Sequence, residues 1–223
     1  MSVAGQPPGW LRTIADAVGE VTVDQLSLHA PPEPGAGRAS AVLTLFGESV
    51  IDGRLVPDVL LIERASSLRS HAGTPAFPGG VIDPDDDGPV GAALREAREE
   101  TGLDPAGIDV LATLPALWLP VGGYVVTPVL AWWRTPSPVA VVDVAEVASV
   151  HRIPVAKFVD PDNRLRVYHP SGHLGPAFRV DGLLVWGFTA GILSGLLEAG
   201  GLSRPWDRGR VERVPVAEEA SAL

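Results

Sequence analysis

The segment "REAREETG", residues 95–102, carries glutamates whose spacing suits metal chemistry. Residues three and four apart share one face of an α-helix, so Glu96, Glu99 and Glu100 are predicted to point the same way. Like charges on one stripe repel each other, and a divalent cation is a natural compensation. Carboxylate oxygens and a backbone carbonyl together make the all-oxygen site that suits Mg²⁺ or Mn²⁺.

A glycine pair lies upstream of these glutamates, in "FPGG", residues 77–80. Because glycine has no side chain, Gly79 and Gly80 allow the backbone to come close to a ligand, and one of their carbonyls is predicted to join the metal site. A metal ion held in this way neutralises phosphate charge and lowers the pKa of a bound water. The pattern therefore favours hydrolysis of a diphosphate. The alternative is a solvated acidic helix face with Arg95 and Arg98 as neighbours.

The glutamates need a helix to align them, and the sequence supplies one. "GPVGAALREAREETG", residues 88–102, is rich in helix formers, follows an acidic start at residues 85–87 and ends on a glycine. Two β-rich runs precede it, at residues 39–47 and 57–65, and "ESVIDGRL" between them predicts a hairpin connection.

The rest of the chain alternates strands with helices. Strands are predicted in residues 109–119 and 124–133, a strand with flanking turns in 144–160, and a short strand followed by a long apolar helix in 183–200. In the second of these segments Trp132 and Trp133 are adjacent, so they should face opposite sides of the sheet, with one in the core. The predicted fold class is α/β, or α+β, with a mixed sheet. The predicted organisation is an N-terminal extension over 1–37, one domain over 38–200, and a flexible tail over 201–223.

Composition limits the partners and the compartment. A chain of 223 residues with 46% hydrophobic residues can form one sizeable core. The formal net charge of -10 argues against a nucleic-acid or anionic membrane surface. There is no cysteine, which excludes disulfides and thiolate metal sites and favours a reducing cytoplasm. No apolar stretch is long enough to predict a membrane span, and the start has no basic patch followed by an apolar run.

The residues around the glutamates resemble a known family. "REAREETGL", residues 95–103, is similar to the end of the Nudix box, R-E-u-x-E-E-x-G-u with u apolar, because Ala97 and Leu103 fill the apolar positions. This resemblance implies a Nudix-type α/β/α sandwich, with a mixed sheet between helices. It also implies that Glu96, Glu99 and Glu100 bind Mg²⁺ or Mn²⁺ and carry catalysis.

The upstream half of the box departs from the family pattern. The pattern's glycine and glutamate fall on Val81 and Asp87, whereas the glycine of this chain is one residue earlier, at Gly80. The turn is thus predicted to be one residue longer, with aspartates replacing the glutamate. The partner of Arg95 stays open at this point.

A second motif resembles one branch of the family, the coenzyme A diphosphatases. "LLIERASSLRSHAGTPAFPGG", residues 60–80, is similar to L-L-T-x-R-S-x-x-x-R/Q-x-x-x-G-x-x-x-F-P-G-G, with Ile62 and Ala65 in place of the threonine and serine. The resemblance implies substrate binding by Arg64 and Arg69 together with the glycine pair. Arginine suits this role because its planar fork binds phosphate through two nitrogens.

The implied reaction is hydrolysis of coenzyme A or acyl-coenzyme A to 3′,5′-ADP and (acyl-)4′-phosphopantetheine, with a small molecule as the partner and a homodimer left open. The two departures, Ile62 and Ala65, leave room for another Nudix substrate such as ADP-ribose, NADH or a nucleoside triphosphate. A catalytically silent nucleotide-binding module is the alternative of a different class, against which the intact glutamate set argues. Some Nudix enzymes place a catalytic base in the region of Asp143 and Glu146, although the local sequence favours a structural strand entry there.

Overall fold

The computed structural model describes residues 6–18, 22–23, 26, 29–33, 35–66, 73–120, 122–168, 172 and 174–214. Its α-helices are α1 (Gly9–Ala17), α2 (Gly88–Thr101), α3 (Val155–Val159) and α4 (Gly187–Ala199). Its strands are β1 (Arg38–Ile51), β2 (Arg54–Arg64), β3 (Pro75–Ala76), β4 (Gly79–Val81), β5 (Ile108–Thr113), β6 (Leu117–Leu119), β7 (Tyr124–Trp133), β8 (Val147–Pro154), β9 (Arg164–Tyr168), β10 (Leu174–Val180), β11 (Leu183–Val185) and β12 (Val211–Arg213).

The main sheet is mixed, as the sequence predicts. Its strands follow the order β3-β2-β1-β7-β5, with β4 paired to β1, β6 to β7 and β8 to β2. The central pair, β1 and β7, is parallel, whereas β1 with β2 and β5 with β7 are antiparallel. Helix α2 packs on one face of this sheet, and α1 and α4 contribute to the core on the other face. The predicted sandwich of a mixed sheet between helices is confirmed.

Side chains of β7 alternate between the two cores. Val129, Ala131 and Trp133 belong to the α2 core, and Leu130 and Trp132 belong to the core that contains α1 and α4. The predicted opposite placement of Trp132 and Trp133 is therefore confirmed. Both are core residues rather than one, with 2% and 1% exposed, because helices cover both faces of the sheet.

The hairpin between β1 and β2 is tighter than predicted. Both strands run through the predicted connection and leave only Asp52 and Gly53 as the turn, with positive φ angles of 49° and 72°. Asp-Gly with both residues at positive φ is the type I′ turn that matches the twist of a two-residue hairpin. The sequence contained that signal, but the polar residues around it suggested a longer loop.

Segments on both sides of the predicted domain also pack against the rest of the fold. Leu11 and Ile14 of α1 are fully buried in the core that contains α4. In the predicted flexible tail, β12 pairs in parallel with β9 within a second sheet of order β11-β10-β9-β12. The guanidinium of Arg164 lies 4.9 Å from the ring centroid of Trp206, which also anchors this segment. Residues 201–214 are thus part of the fold, while 215–223 lie outside the described residues. None of the helices described is long and apolar enough to cross a membrane.

Candidate active site

Helix α2 presents the predicted carboxylates because its opposite side is made of small residues. Ala92, Ala93 and Ala97 are fully buried against the sheet, which allows the helix to lie close to β1. The helix ends as predicted at Gly102, whose left-handed φ of 72° accompanies an N–H that donates to the carbonyl of Arg98 at 2.8 Å. The glutamates of the last turns therefore lie at the edge of the helix that faces β4.

The glycine pair in β4 is required by close contacts on both sides. A Cβ atom on Gly79 would lie 2.2 Å from the carbonyl oxygen of Ala41, in the neighbouring strand β1. A Cβ on Gly80 would lie 2.4 Å from Oε1 of Glu96. The absence of side chains thus brings the backbone of β4 against both the sheet and the side chain of Glu96.

Glu100 is the most deeply placed of the three glutamates. It is 2% exposed, and its Oε2 accepts a hydrogen bond of 2.9 Å from the N–H of Gly79. Its Oε1 is buried without a hydrogen-bond partner among the described residues. Burial raises the pKa of Glu100 to about 8, against the opposing effect of the Gly79 N–H. The charges of Glu96 and Glu146 raise this pKa further, and that of Arg64 lowers it.

The other two glutamates, Glu96 and Glu99, both form ion pairs with the guanidinium of Arg95. Nη1 of Arg95 lies 2.9 Å from Oε1 of Glu96 and 3.1 Å from Oε2 of Glu99. The Glu96 side chain is 17% exposed and that of Glu99 is 57% exposed. Burial raises the pKa of Glu96, with Arg95 opposing that shift through its hydrogen bond and charge. The three glutamates therefore lie on one side of α2 as predicted, with Glu100 the most buried and Glu99 the most exposed.

The remaining nitrogens of Arg95 identify its aspartate partner, which the sequence left open. Nε and Nη2 donate to the two oxygens of Asp86, both at 2.9 Å, and Nη2 also donates to the carbonyl of Val81 at 3.0 Å. Asp86 in turn accepts from the N–H of Asp83 at 2.8 Å, and the hydrogen bond from Arg95 lowers the pKa of Asp86. Asp86, one of the aspartates predicted to replace the family's glutamate, is therefore the partner of Arg95, rather than Asp87, on which the unshifted pattern falls.

Arg64 ends β2 beside this group. Its backbone N–H donates to the carbonyl of Thr74 at 3.1 Å and its carbonyl accepts from the N–H of Gly73 at 3.0 Å, so the end of β2 is paired with residues 73 and 74. Its Nε is buried without a hydrogen-bond partner in the described part of the chain. Arg69, the other predicted phosphate ligand, lies outside the described residues.

Glu146 joins the site from a distant part of the sequence. Its carbonyl accepts from the N–H of Ala65 at 2.8 Å, and its own N–H donates to the carbonyl of Asp143 at 3.2 Å. Its exposed carboxylate raises the pKa of both Glu96 and Glu100 through its charge. The predicted strand entry is confirmed, since β8 begins at the next residue. The sequence singled out the region of Asp143 and Glu146 for a catalytic base but favoured a structural role there, whereas the fold brings the charge of Glu146 within reach of Glu96 and Glu100.

The donor set is chemically suited to a hard divalent cation. Three glutamates supply only oxygen, burial raises the pKa of two of them, and Oε1 of Glu100 is buried without a hydrogen bond. Within the described segments, no three acidic or histidine side chains are grouped so that they could hold a metal ion as they stand. Arg95 forms ion pairs with Glu96 and Glu99, so a divalent cation shared with Glu100 would have to compete with its guanidinium.

Comparisons with known proteins identify the family and the fold. A model described as the NUDIX domain matches residues 37–168. The chain is 40% identical over 144 residues to the uncharacterized Nudix hydrolase NudL of Cronobacter sakazakii, which covers 61% of this chain and 72% of that protein. It is 38% identical over 168 residues to the Shigella flexneri protein of the same name, covering 72% and 82% of the two chains. The crystal structure of a Nudix hydrolase from M. smegmatis, RenU, has the same fold, with a TM-score of 0.52 at 20% identity over 79% of this chain and 100% of that one.

Proposed function

The chain belongs to the Nudix hydrolase family, and on that premise we propose that this pyrophosphohydrolase acts on coenzyme A or an acyl-coenzyme A. The products are 3′,5′-ADP and (acyl-)4′-phosphopantetheine. The observation that carries the choice of substrate is Arg64. This cation, the arginine near the start of the "LLIERASSLRSHAGTPAFPGG" motif, has a buried Nε without a hydrogen-bond partner among the described residues and lies close enough to lower the pKa of Glu100.

Glu96, Glu99 and Glu100 are the residues that would hold Mg²⁺ or Mn²⁺. When bound, such an ion neutralises phosphate charge and lowers the pKa of water. The protein's own contribution begins with Gly79, whose N–H holds one oxygen of Glu100 and fixes the direction of that carboxylate. Arg95 holds the turn before α2 in place through Asp86.

Substrate binding is assigned to Arg64 and the glycine pair. A guanidinium binds phosphate oxygens through two parallel hydrogen bonds, which orients the diphosphate as well as attracting it. Gly79 and Gly80 let the backbone of β4 lie directly against β1 and the carboxylate of Glu96. Local cations are necessary because a chain with a formal net charge of -10 repels an anionic substrate at long range.

Hydrolysis adds water to one phosphorus, breaks its bond to the bridging oxygen and leaves one phosphate on each product. The attacking water must lose a proton, and Glu146 is the best-placed acceptor. Glu96 and Glu99 are paired with Arg95, and Glu100 is bound to Gly79, whereas the exposed carboxylate of Glu146 has no side-chain hydrogen bond or ion pair within the described residues. A free carboxylate near the reacting group acts as a general base.

The test is a substrate panel with product analysis. Purified protein is incubated with Mn²⁺ or Mg²⁺ and, in parallel, coenzyme A, acetyl-coenzyme A, ADP-ribose and NADH, and products are separated by chromatography. The expected result is 3′,5′-ADP with phosphopantetheine, formed faster than products of the other compounds. Faster turnover of ADP-ribose or NADH would overturn the choice of substrate, and binding without turnover in saturating Mn²⁺ would favour a nucleotide-binding module.

A matched pair of variants tests the role of Arg64. Arg64→Ala should raise KM for coenzyme A by roughly tenfold to a hundredfold, since a charge-assisted contact to phosphate is lost. Arg54→Ala removes an exposed arginine at the β1–β2 turn, away from the site, and should leave KM unchanged. Equal KM values for the two variants would remove Arg64 from the phosphate site.

A further inference from the structure

A buried threonine of α4 contacts the segment that lies between Arg64 and the glycine pair. Thr189, in the first turn of α4, is 5% exposed, and its Oγ1 donates a hydrogen bond of 3.1 Å to the carbonyl of Pro75 in β3. The helix is itself fixed, because many of its side chains belong to the core that also contains α1. The hydroxyl of Thr189 therefore ties a short strand beside the site to a helix packed in the core.

Strand β3 depends on this tie because its own pairing is short. It has only two residues, which pair with Ile62 and Glu63 of β2, and the first of them, Pro75, has no N–H to donate to the sheet. The glycine strand β4 is held more firmly. It pairs with β1 over three residues, and the carbonyl of Pro78 just before it accepts from the N–H of Leu43 at 2.8 Å. Loss of the Thr189 hydrogen bond should therefore displace β3 more than β4.

The end of β2 that carries Arg64 is attached to the residue before β3. The N–H of Arg64 donates to the carbonyl of Thr74 at 3.1 Å, and Thr74 directly precedes Pro75. The pairing of β2 with β8 is irregular at this point, since its register shifts between Glu63 and Arg64. The contact with Thr74 thus helps to fix the backbone of Arg64, and with it the direction of the guanidinium.

We propose that Thr189 is a positioning residue for substrate binding, which acts through β3 to keep Arg64 directed at the diphosphate. This inference rests on the proposed function and deepens it, because it adds to the site a residue that does not touch the substrate. The glutamates should stay in place without the Thr189 hydroxyl, since Glu100 is held by Gly79 and the strand of Gly79 pairs with β1. The effect should therefore appear in KM rather than in kcat.

Two substitutions of Thr189 separate the hydroxyl from the rest of the side chain. Thr189→Val keeps the shape but removes the donor, and should raise KM for coenzyme A by roughly threefold to tenfold while kcat changes by less than about twofold. Thr189→Ser keeps the donor and should restore KM to the wild-type value. Thr44→Val is the matched control, because Thr44 is also buried and its Oγ1 has no hydrogen-bond partner among the described residues. This control should leave KM unchanged.

A double-mutant cycle distinguishes positioning of Arg64 from a general loss of structure. If Thr189 acts through Arg64, Thr189→Val should raise KM no further in protein that already carries Arg64→Ala. Thermal unfolding of each variant checks that it is folded, and Thr189→Ala, which also lacks the hydroxyl, should reproduce the change in KM. Additive increases in KM, or a loss of kcat at unchanged KM, would overturn the inference and leave the proposed function standing.

The wild-type protein and Arg64→Ala test the function on which the inference rests. If the wild-type protein turns over ADP-ribose in place of coenzyme A, the choice of substrate fails, and the cycle with ADP-ribose decides the role of Thr189 by the same criterion. If Arg64→Ala leaves KM unchanged, or if the wild-type protein turns over none of the compounds, both the inference and the proposed function are overturned.

Discussion

The backbone N–H of Gly79 donates a hydrogen bond of 2.9 Å to Oε2 of Glu100. This contact joins the glycine strand β4 to helix α2, which carries the three glutamates; the sequence presents these two elements as separate features. It uses one oxygen of a buried carboxylate and leaves Oε1 without a hydrogen bond among the described residues. Gly79 therefore orients the Glu100 carboxylate, and the missing side chain of Gly80 makes room for that of Glu96.

Replacing Glu100 with glutamine should abolish metal-dependent turnover while preserving the fold. Glutamine has the same shape and can still accept from Gly79, but it lacks the charge that a divalent cation needs. We expect kcat to fall by about a thousandfold or more, with an unchanged circular dichroism spectrum. Glu33→Gln, at an exposed position away from the site, is the control. Activity close to that of the wild type would exclude Glu100 from the metal site.

The same carboxyl should make the metal-free protein less stable as the pH rises. Its pKa is raised from 4.5 to about 8, so between these values the folded protein keeps a proton that the unfolded chain has released. Below pH 4.5 this group makes its full contribution to the free energy of unfolding, and that contribution is lost as the pH rises through about 8. Urea unfolding in EDTA, carried out near pH 4.5 and near pH 8, measures this change in the free energy of unfolding. Glu100→Gln should lose that part of the pH dependence, and an identical slope in variant and wild type would contradict the assignment.

The two glycines of β4 should respond differently to alanine. At Gly79 a Cβ would lie 2.2 Å from a backbone oxygen of Ala41 and 2.6 Å from Cα of Val42, so the strand pairing itself must shift. At Gly80 the Cβ would lie 2.4 Å from Oε1 of Glu96, the end of a flexible side chain. We expect Gly79→Ala to lower the free energy of unfolding by about 3 kcal/mol, and Gly80→Ala to lower it by under about 1 kcal/mol.

The effect on activity should be the opposite. Relative to the stability that each variant loses, Gly80→Ala should lose more activity than Gly79→Ala. Because Gly80→Ala displaces Glu96, it should reduce kcat by about a hundredfold in a protein that remains folded. Thermal unfolding and kcat measured on the same preparations provide the comparison. If Gly80→Ala retained full activity, the position of Glu96 would not matter to the reaction.

Sequence reasoning was strongest where the pattern is local. The helix that carries Glu96, Glu99 and Glu100 follows from helix formers and a terminal glycine, and the alternation of Trp132 and Trp133 follows from the period of a strand. Asp86 was missed because residue spacing does not reveal the path of a turn with one additional residue.

Other features escaped prediction because they depend on tertiary contacts. The sequence named Glu146 but could not show that its charge acts on Glu96 and Glu100, which depends on the fold. The segment that contains β12 has no strand pattern of its own, and its pairing with β9 makes it a strand.

The Asp86–Arg95 pair gives a prediction that distinguishes neighbouring aspartates. Asp86→Ala removes both hydrogen bonds to Arg95 and the acceptor for the N–H of Asp83. We expect a loss of about 1–3 kcal/mol in the free energy of unfolding, because a half-buried guanidinium is left without its main partner. Asp87→Ala should cost less than about 1 kcal/mol, since Asp87 is exposed and makes no side-chain cap hydrogen bond to α2. Equal losses, measured by urea unfolding, would contradict the assigned pairing.

Glu146→Gln tests the proposed proton acceptor. Glutamine keeps the size of the side chain but cannot take a proton from water, so kcat should fall by roughly a hundredfold to ten-thousandfold with little change in KM. The residual rate should also increase with pH more steeply than the wild-type rate, because hydroxide replaces the missing base. Glu33→Gln again provides the control for loss of one surface charge. A rise in KM with unchanged kcat would assign Glu146 to substrate binding, and an unaltered pH profile would exclude it as the base.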